Sequence, residues 1–127
     1  MRYLLDTHAF LHYFNDSDKL SETAAVIIED ADAQKYVSMA SLWEFAIKYS
    51  LGNIRFDGGL SRLCEMITKN GFTFLPITQL HISGLIELPY IHRDPFDRLL
   101  IATAKAEGMT ILTADENIPK YDVPSVW

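Results

Sequence analysis

Short apolar runs alternate along the chain with stretches whose apolar positions recur at helical spacing. Arg2-Tyr3-Leu4-Leu5-Asp6 reads as a buried strand closed by an acid, and Thr7 to Phe14 continues as a helix. A turn at Asn15-Asp16-Ser17-Asp18 precedes Ser21, an N-cap for a helix over Glu22 to Asp30. Lys35 to Met39 is rich in β-formers, and the next helix is expected to start at Ser41 and stop before Gly52. The segment Gly52 to Gly59 has the densest turn chemistry; the following helix, Leu60 to Asn70, has Gly71 at its C-terminal stop.

The second half repeats the alternation. Phe72 to Pro76 predicts a third strand, and Thr78 caps a helix that closes before Pro89. Asp94-Pro95 sets a capping residue beside a proline at the first helical position, which predicts a helix through Glu107 that Gly108 ends. Met109 to Thr113 is the fourth strand, with Asp115 just beyond it. The tail Asp122 to Trp127 is expected at a sheet edge, because Pro124 cannot donate to a central ladder. Strands alternating with helices predict a mainly parallel sheet of four or five strands, covered on both faces. The working crevice of such a fold lies at the carboxyl ends of its strands.

Composition narrows the class. The chain has 127 residues, of which 49% are hydrophobic and 22% charged, which suits one packed domain over 1–127 without linker or repeat. Its net charge of −6 argues against a protein that grips nucleic acid through a broad basic face. Cys64 is the one cysteine and can form no internal disulfide; its place on the predicted inner helix face reads as an inert buried thiol. The first apolar stretch is broken at Asp6, so no signal peptide is read and a cytoplasmic protein is expected. No stretch approaches membrane-spanning length.

The candidate chemistry lies in four acids. Asp6 and Asp115 fall just past strand ends, whereas Glu44 and Asp97 fall in the first turns of predicted helices, so all four can meet at one sheet edge. Each also has a plain structural reading: Asp6 as a helix cap, Glu44 as the end of a Ser41-Leu42-Trp43-Glu44 capping box, Asp97 three residues after a cap, Asp115 as a turn starter. Jointly, four carboxylates in a crevice repel one another and tend to protonate unless a cation joins them. An oxygen-rich donor set suits Mg²⁺ or Mn²⁺ better than zinc.

The residues that carry this pattern resemble a known family. Leu4-Leu5-Asp6-Thr7-His8, Ser41-Leu42-Trp43-Glu44, Asp94-Pro95-Phe96-Asp97-Arg98-Leu99-Leu100-Ile101-Ala102-Thr103-Ala104 and Ile111-Leu112-Thr113-Ala114-Asp115 together resemble a PIN-domain ribonuclease, and within that family the VapC-type toxin of a toxin–antitoxin pair. The resemblance implies a three-layer α/β/α sandwich and an acidic pocket of Asp6, Glu44, Asp97 and Asp115. It also implies a Mg²⁺- or Mn²⁺-dependent endoribonuclease acting on RNA, and a cognate antitoxin, with a homodimer or a toxin–antitoxin hetero-oligomer as the assembly. Asp94 is read as a helix cap ahead of a metal ligand, and Thr7 and Thr113 as hydrogen-bonding residues beside the site.

Further residues are weighed against plainer roles. Trp43, Phe45, Tyr49 and Phe56 are candidates for an antitoxin groove, or else core and ordinary surface aromatics. Lys48, Arg55, Arg93 and Arg98 are candidate phosphate contacts. His8, His12, His81 and His92 lack a shared metal-ligand spacing and read as packing or surface residues, with only His8 and His92 near the crevice. Two rivals stand beside the nuclease: a receiver- or haloacid-dehalogenase-type phosphoryl-transfer domain, and a PIN-like interaction module without catalysis. The first lacks an aspartate two residues after Asp6 and at the end of Leu75-Pro76-Ile77-Thr78.

Overall fold

The computed structural model describes residues 1–127. Five parallel strands form one sheet in the order β3-β2-β1-β4-β5: β1 Arg2–Leu5, β2 Gln34–Ser38, β3 Thr73–Leu75, β4 Thr110–Leu112 and β5 Ser125–Val126. Helices α1 (Thr7–Phe14), α2 (Glu22–Glu29), α3 (Met39–Ser50), α4 (Gly59–Lys69), α5 (Gln79–Glu87) and α6 (Pro95–Glu107) fill the connections. No helix is long and apolar enough to cross a membrane.

Side chains alternate across a strand, so each strand feeds two cores. Leu5, Val37 and Leu112, paired in register, pack with Phe10, Phe45, Leu63 and Ile67 from α1, α3 and α4. Their neighbours Leu4 and Ile111 face the opposite side and pack with Leu100, Ile101 and Ala104 of α6. Helices therefore cover both faces, giving the expected three-layer sandwich.

Strand order decides where the crevice opens. After β1 the chain adds β2 and β3 on one side, then crosses back to add β4 and β5 on the other. The carboxyl ends of β1 and β4 thus flank the point where the winding reverses, and a parallel α/β sheet opens its crevice there. Asp6 follows β1 directly, its backbone N–H donating to Leu112 O at 3.2 Å.

Several local expectations are met at their caps. Asp94 accepts from Phe96 N–H and Asp97 N–H to open α6, and Gly108 closes it at φ 67°, ψ 39°. A Cβ there would meet no atom within 4 Å, so only the left-handed backbone resists a side chain. Gly108→Ala is expected to cost about 1 kcal/mol in urea unfolding with an unchanged slope, from the strain of an L-residue in that conformation; no loss would contradict it.

Two expectations need correction. Helix α3 starts at Met39 rather than Ser41, because Ser38, at the very end of β2, accepts from Ala40 N–H and nucleates the helix earlier. Cys64 is half-buried at the rim of the larger core rather than enclosed, and burial still raises its thiol pKa.

Candidate active site

The early start of α3 matters for Glu44. It lies in the second turn, too far from the helix N-terminus for a capping box, and its buried carboxylate meets one tertiary partner and one on its own helix. Thr7 Oγ1 donates to Oε1 at 2.5 Å, and Lys48 Nζ, one turn further along α3, donates to Oε2 at 2.7 Å. Burial lowers the Lys48 pKa, but the Glu44 hydrogen bond and the charges of Glu44, Asp94 and Asp97 outweigh it and hold the ammonium above its usual range.

Asp6 is both cap and pocket wall. Oδ1 accepts from Ala9 N–H at 2.7 Å, and Oδ2 accepts from the Thr113 hydroxyl. Burial raises the Asp6 pKa above the ordinary aspartate value and Asp115 adds to it, while the Thr113 and Ala9 donors and His8 pull the other way. Thr113 Oγ1 in turn accepts from Asp115 N–H at 3.0 Å, which ties the loop after β4 to the residue after β1. Asp115 Oδ2 accepts from Asn117 and Ile118 N–H and so starts the 3₁₀ turn Ile118–Lys120.

Asp97 stands in the first turn of α6, with Oδ2 on His92 Nε2 at 3.1 Å. Burial, against the His92 contact and together with the nearby charges of Asp94, Asp115 and Asp6, raises its pKa to about 6. Like charges confined out of water have this effect.

The structure brings Asp6, Glu44, Asp97 and Asp115 to the wall of one cavity of about 260 Å³, with Asp94 and Lys48 beside them. The tightest grouping differs from that set: donor atoms of His92, Asp97 and Asp115 lie within 4.8 Å of one another. His92 is half-buried in this grouping. Its Nδ1 lies 2.8 Å from the hydroxyl of Tyr121, a buried residue that the sequence pattern gave no reason to single out.

Other candidates land elsewhere. Arg98 is buried and cannot reach a substrate, since its guanidinium donates to Pro89 O and Tyr121 Oη and lies 4.0 Å from the Tyr90 ring centroid. Arg55 and Arg93 are exposed and do not line the cavity, whereas Lys48 does. Phe45 and Phe56 are core residues and offer nothing to a partner, because α3 turns Phe45 onto the sheet and Phe56 packs edge-on against it. Trp43 and Tyr49 are exposed. His81 is fully enclosed, with Nε2 on Glu107 at 2.9 Å.

His12 and Trp127 also line the cavity and were missed. His12 lies one helical turn beyond His8 on α1, a spacing that puts both on one face. Trp127 follows β5, whose parallel direction brings the chain's last residue to the edge reached by every other strand end.

The chain belongs to the PIN domain family, which it matches over residues 3–124. Members of that family are in general nucleases and typically use divalent metal ions. Among solved structures, the chain is similar to VapBC2 from Rickettsia felis bound to a DNA fragment from their promoter, with 14% identity, TM-score 0.76, and 100% of this chain and 99% of that one covered. It is also similar to VapBC-1 from nontypeable Haemophilus influenzae, with 14% identity, TM-score 0.70 and coverages of 99% and 97%. A toxin-antitoxin complex from Klebsiella pneumoniae matches at 17% identity, TM-score 0.66, and coverages of 98% and 96%. No curated protein matches the chain in sequence. The family match leaves the receiver and haloacid-dehalogenase readings without support.

Proposed function

We propose that the protein is a cytoplasmic metal-dependent endoribonuclease of the VapC type, in which Asp6, Glu44, Asp97 and Asp115 form the catalytic metal site. One observation carries the reading: buried Asp6 and half-buried Asp97 share a crevice with two further acids, and both are pushed toward protonation, first by loss of water and then by neighbouring carboxylates. A scaffold gains nothing from holding acids out of water beside one another, whereas a divalent cation would offset both the desolvation and the repulsion. The donor chemistry fits Mg²⁺ or Mn²⁺, because carboxylate oxygens dominate the cavity and no cysteine approaches it.

When bound, such an ion would supply Lewis-acid stabilisation of the charge that develops on a phosphodiester during hydrolysis. The chain's own residues do the rest. Thr113 and Thr7 hold the Asp6 and Glu44 carboxylates in place, while Lys48 provides the cationic part and His8 and His12 the hydrogen-bonding part of the wall for a phosphate. Lys48 pairs with Glu44 and, from the same cavity wall, would offer its ammonium to a substrate phosphate.

Antitoxin binding follows from the same reading, supported by toxin–antitoxin complexes among the similar folds. Exposed Trp43, Met39 and Ile47 give α3 an apolar outer face for such a partner, in a toxin homodimer or a toxin–antitoxin hetero-oligomer. The test is direct. Purified protein is expected to cut single-stranded RNA internally with Mg²⁺ or Mn²⁺ and to stop when the ion is chelated; cleavage that persists in chelator, or none with either ion, contradicts the proposal.

A further inference from the structure

We infer that His92 positions Asp97 through a ring proton that Tyr121 confines to Nε2, and that it does not itself ligate the ion. This rests on the metal-dependent reading above, since it assigns a role within that site. The grouping of His92, Asp97 and Asp115 donor atoms would at first sight suggest three ligands around one ion. The hydrogen bonds behind His92 argue otherwise.

A phenolic oxygen has two acceptor positions and one proton. Tyr121 Oη accepts from Arg98 Nη1 at 3.1 Å and from the His92 backbone N–H at 3.2 Å, which fills both. Its own proton is left facing His92 Nδ1, 2.8 Å away, so Nδ1 is the acceptor of that bond. An uncharged imidazole carries a single ring proton, and with Nδ1 accepting, that proton is on Nε2. Nε2 then donates to Asp97 Oδ2 at 3.1 Å. The opposite tautomer would aim an N–H at an oxygen with no free lone pair and strand a buried phenolic proton.

Arg98 fixes the far end of this chain of bonds. Its guanidinium is anchored on Pro89 O at 2.9 Å and lies against the Tyr90 ring, so the phenol it feeds cannot swing away. Order therefore passes from α6 through Arg98, Tyr121 and His92 back to Asp97 on the same helix. Asp97 keeps one oxygen on His92 and the other, Oδ1, without a hydrogen bond inside the protein. A ligating nitrogen must offer a lone pair, and Nε2 has used its own on the proton. The ion accordingly meets an all-oxygen set, which suits Mg²⁺ or Mn²⁺ over softer metals.

The test combines ¹⁵N NMR of the histidine rings near pH 8 with Mg²⁺ titration calorimetry on the full chain. The metal-free protein is expected to show a protonated Nε2 and a bare Nδ1 at His92, unchanged by saturating Mg²⁺. His92→Ala should weaken Mg²⁺ binding about tenfold or more, and His92→Gln, whose amide can reach Oδ2, should recover most of it, as supporting hydrogen bonds to metal-binding groups do. Tyr121→Phe should leave the ring proton shared between the two nitrogens. A proton on Nδ1, its loss from Nε2 when Mg²⁺ is added, a His92→Ala protein that binds Mg²⁺ as wild type does, or a glutamine no better than alanine would each overturn the role. Wild-type protein that takes up no Mg²⁺ brings down the nuclease reading and this role together, whereas any of the other outcomes in protein that binds Mg²⁺ removes this role alone.

Discussion

Asp6→Asn is expected to reduce RNA cleavage by about a thousandfold or more, equivalent to roughly 4 kcal/mol of lost transition-state stabilisation. The amide is nearly the same shape, and asparagine caps a helix as well as aspartate, so the bond from Ala9 N–H that opens α1 survives. It also removes a charge that burial already disfavours, so folding should not suffer. The measurement is single-turnover cleavage at saturating Mg²⁺ beside a thermal melt. Asp115→Asn should behave alike, since an amide oxygen can still accept from Asn117 and Ile118. Folded variants that keep a tenth of the wild-type rate would exclude these two acids from the catalytic set.

Much of the fold was legible because its signals are local. Asp94-Pro95 and Gly108 bound α6 through backbone geometry that each residue imposes within its own turn, and short apolar runs bounded by turn residues locate the first four strands. The four acids could be placed at one edge for a similar reason: in a parallel sheet all strands end at the same side, so knowing the strand ends fixes where Asp6 and Asp115 go. What escaped depends on partners remote in sequence. Ser38 and Ser41 are equally good caps by type, and only the pairing of Ser38 with Leu75 across the sheet fixes where strand ends and helix begins. Arg98 looks like a phosphate contact until Tyr121, 23 residues away, and Pro89 claim its guanidinium. Phe45 and Trp43 are two residues apart on α3, yet the helix sends one into the core and leaves the other exposed.

The raised pKa of Asp97 leads to the second large effect, a stability order of wild type and variant that metal reverses. A carboxyl group held at about 6 in the folded chain, against an ordinary value of 3.8, is protonated in both states below that lower value. Its contribution to stability is complete there and is lost as pH rises through 6, because the native state must then carry a charge that the unfolded state accommodates freely. The full shift corresponds to about 3 kcal/mol, which residual solvent contact and the favourable placement of an acid near a helix N-terminus reduce to roughly 1–2 kcal/mol. In metal-free protein at pH 8, Asp97→Asn should therefore melt several degrees above wild type, at roughly 4 °C per kcal/mol for a chain of this size. The gap should close as pH falls toward 4. Mg²⁺ at a hundred times its dissociation constant should stabilise wild type by about 2.7 kcal/mol and the variant far less, reversing their order. A variant that melts below wild type in chelator at pH 8, or that gains as much from Mg²⁺, would mean that Asp97 sits in no repulsive site for an ion to relieve.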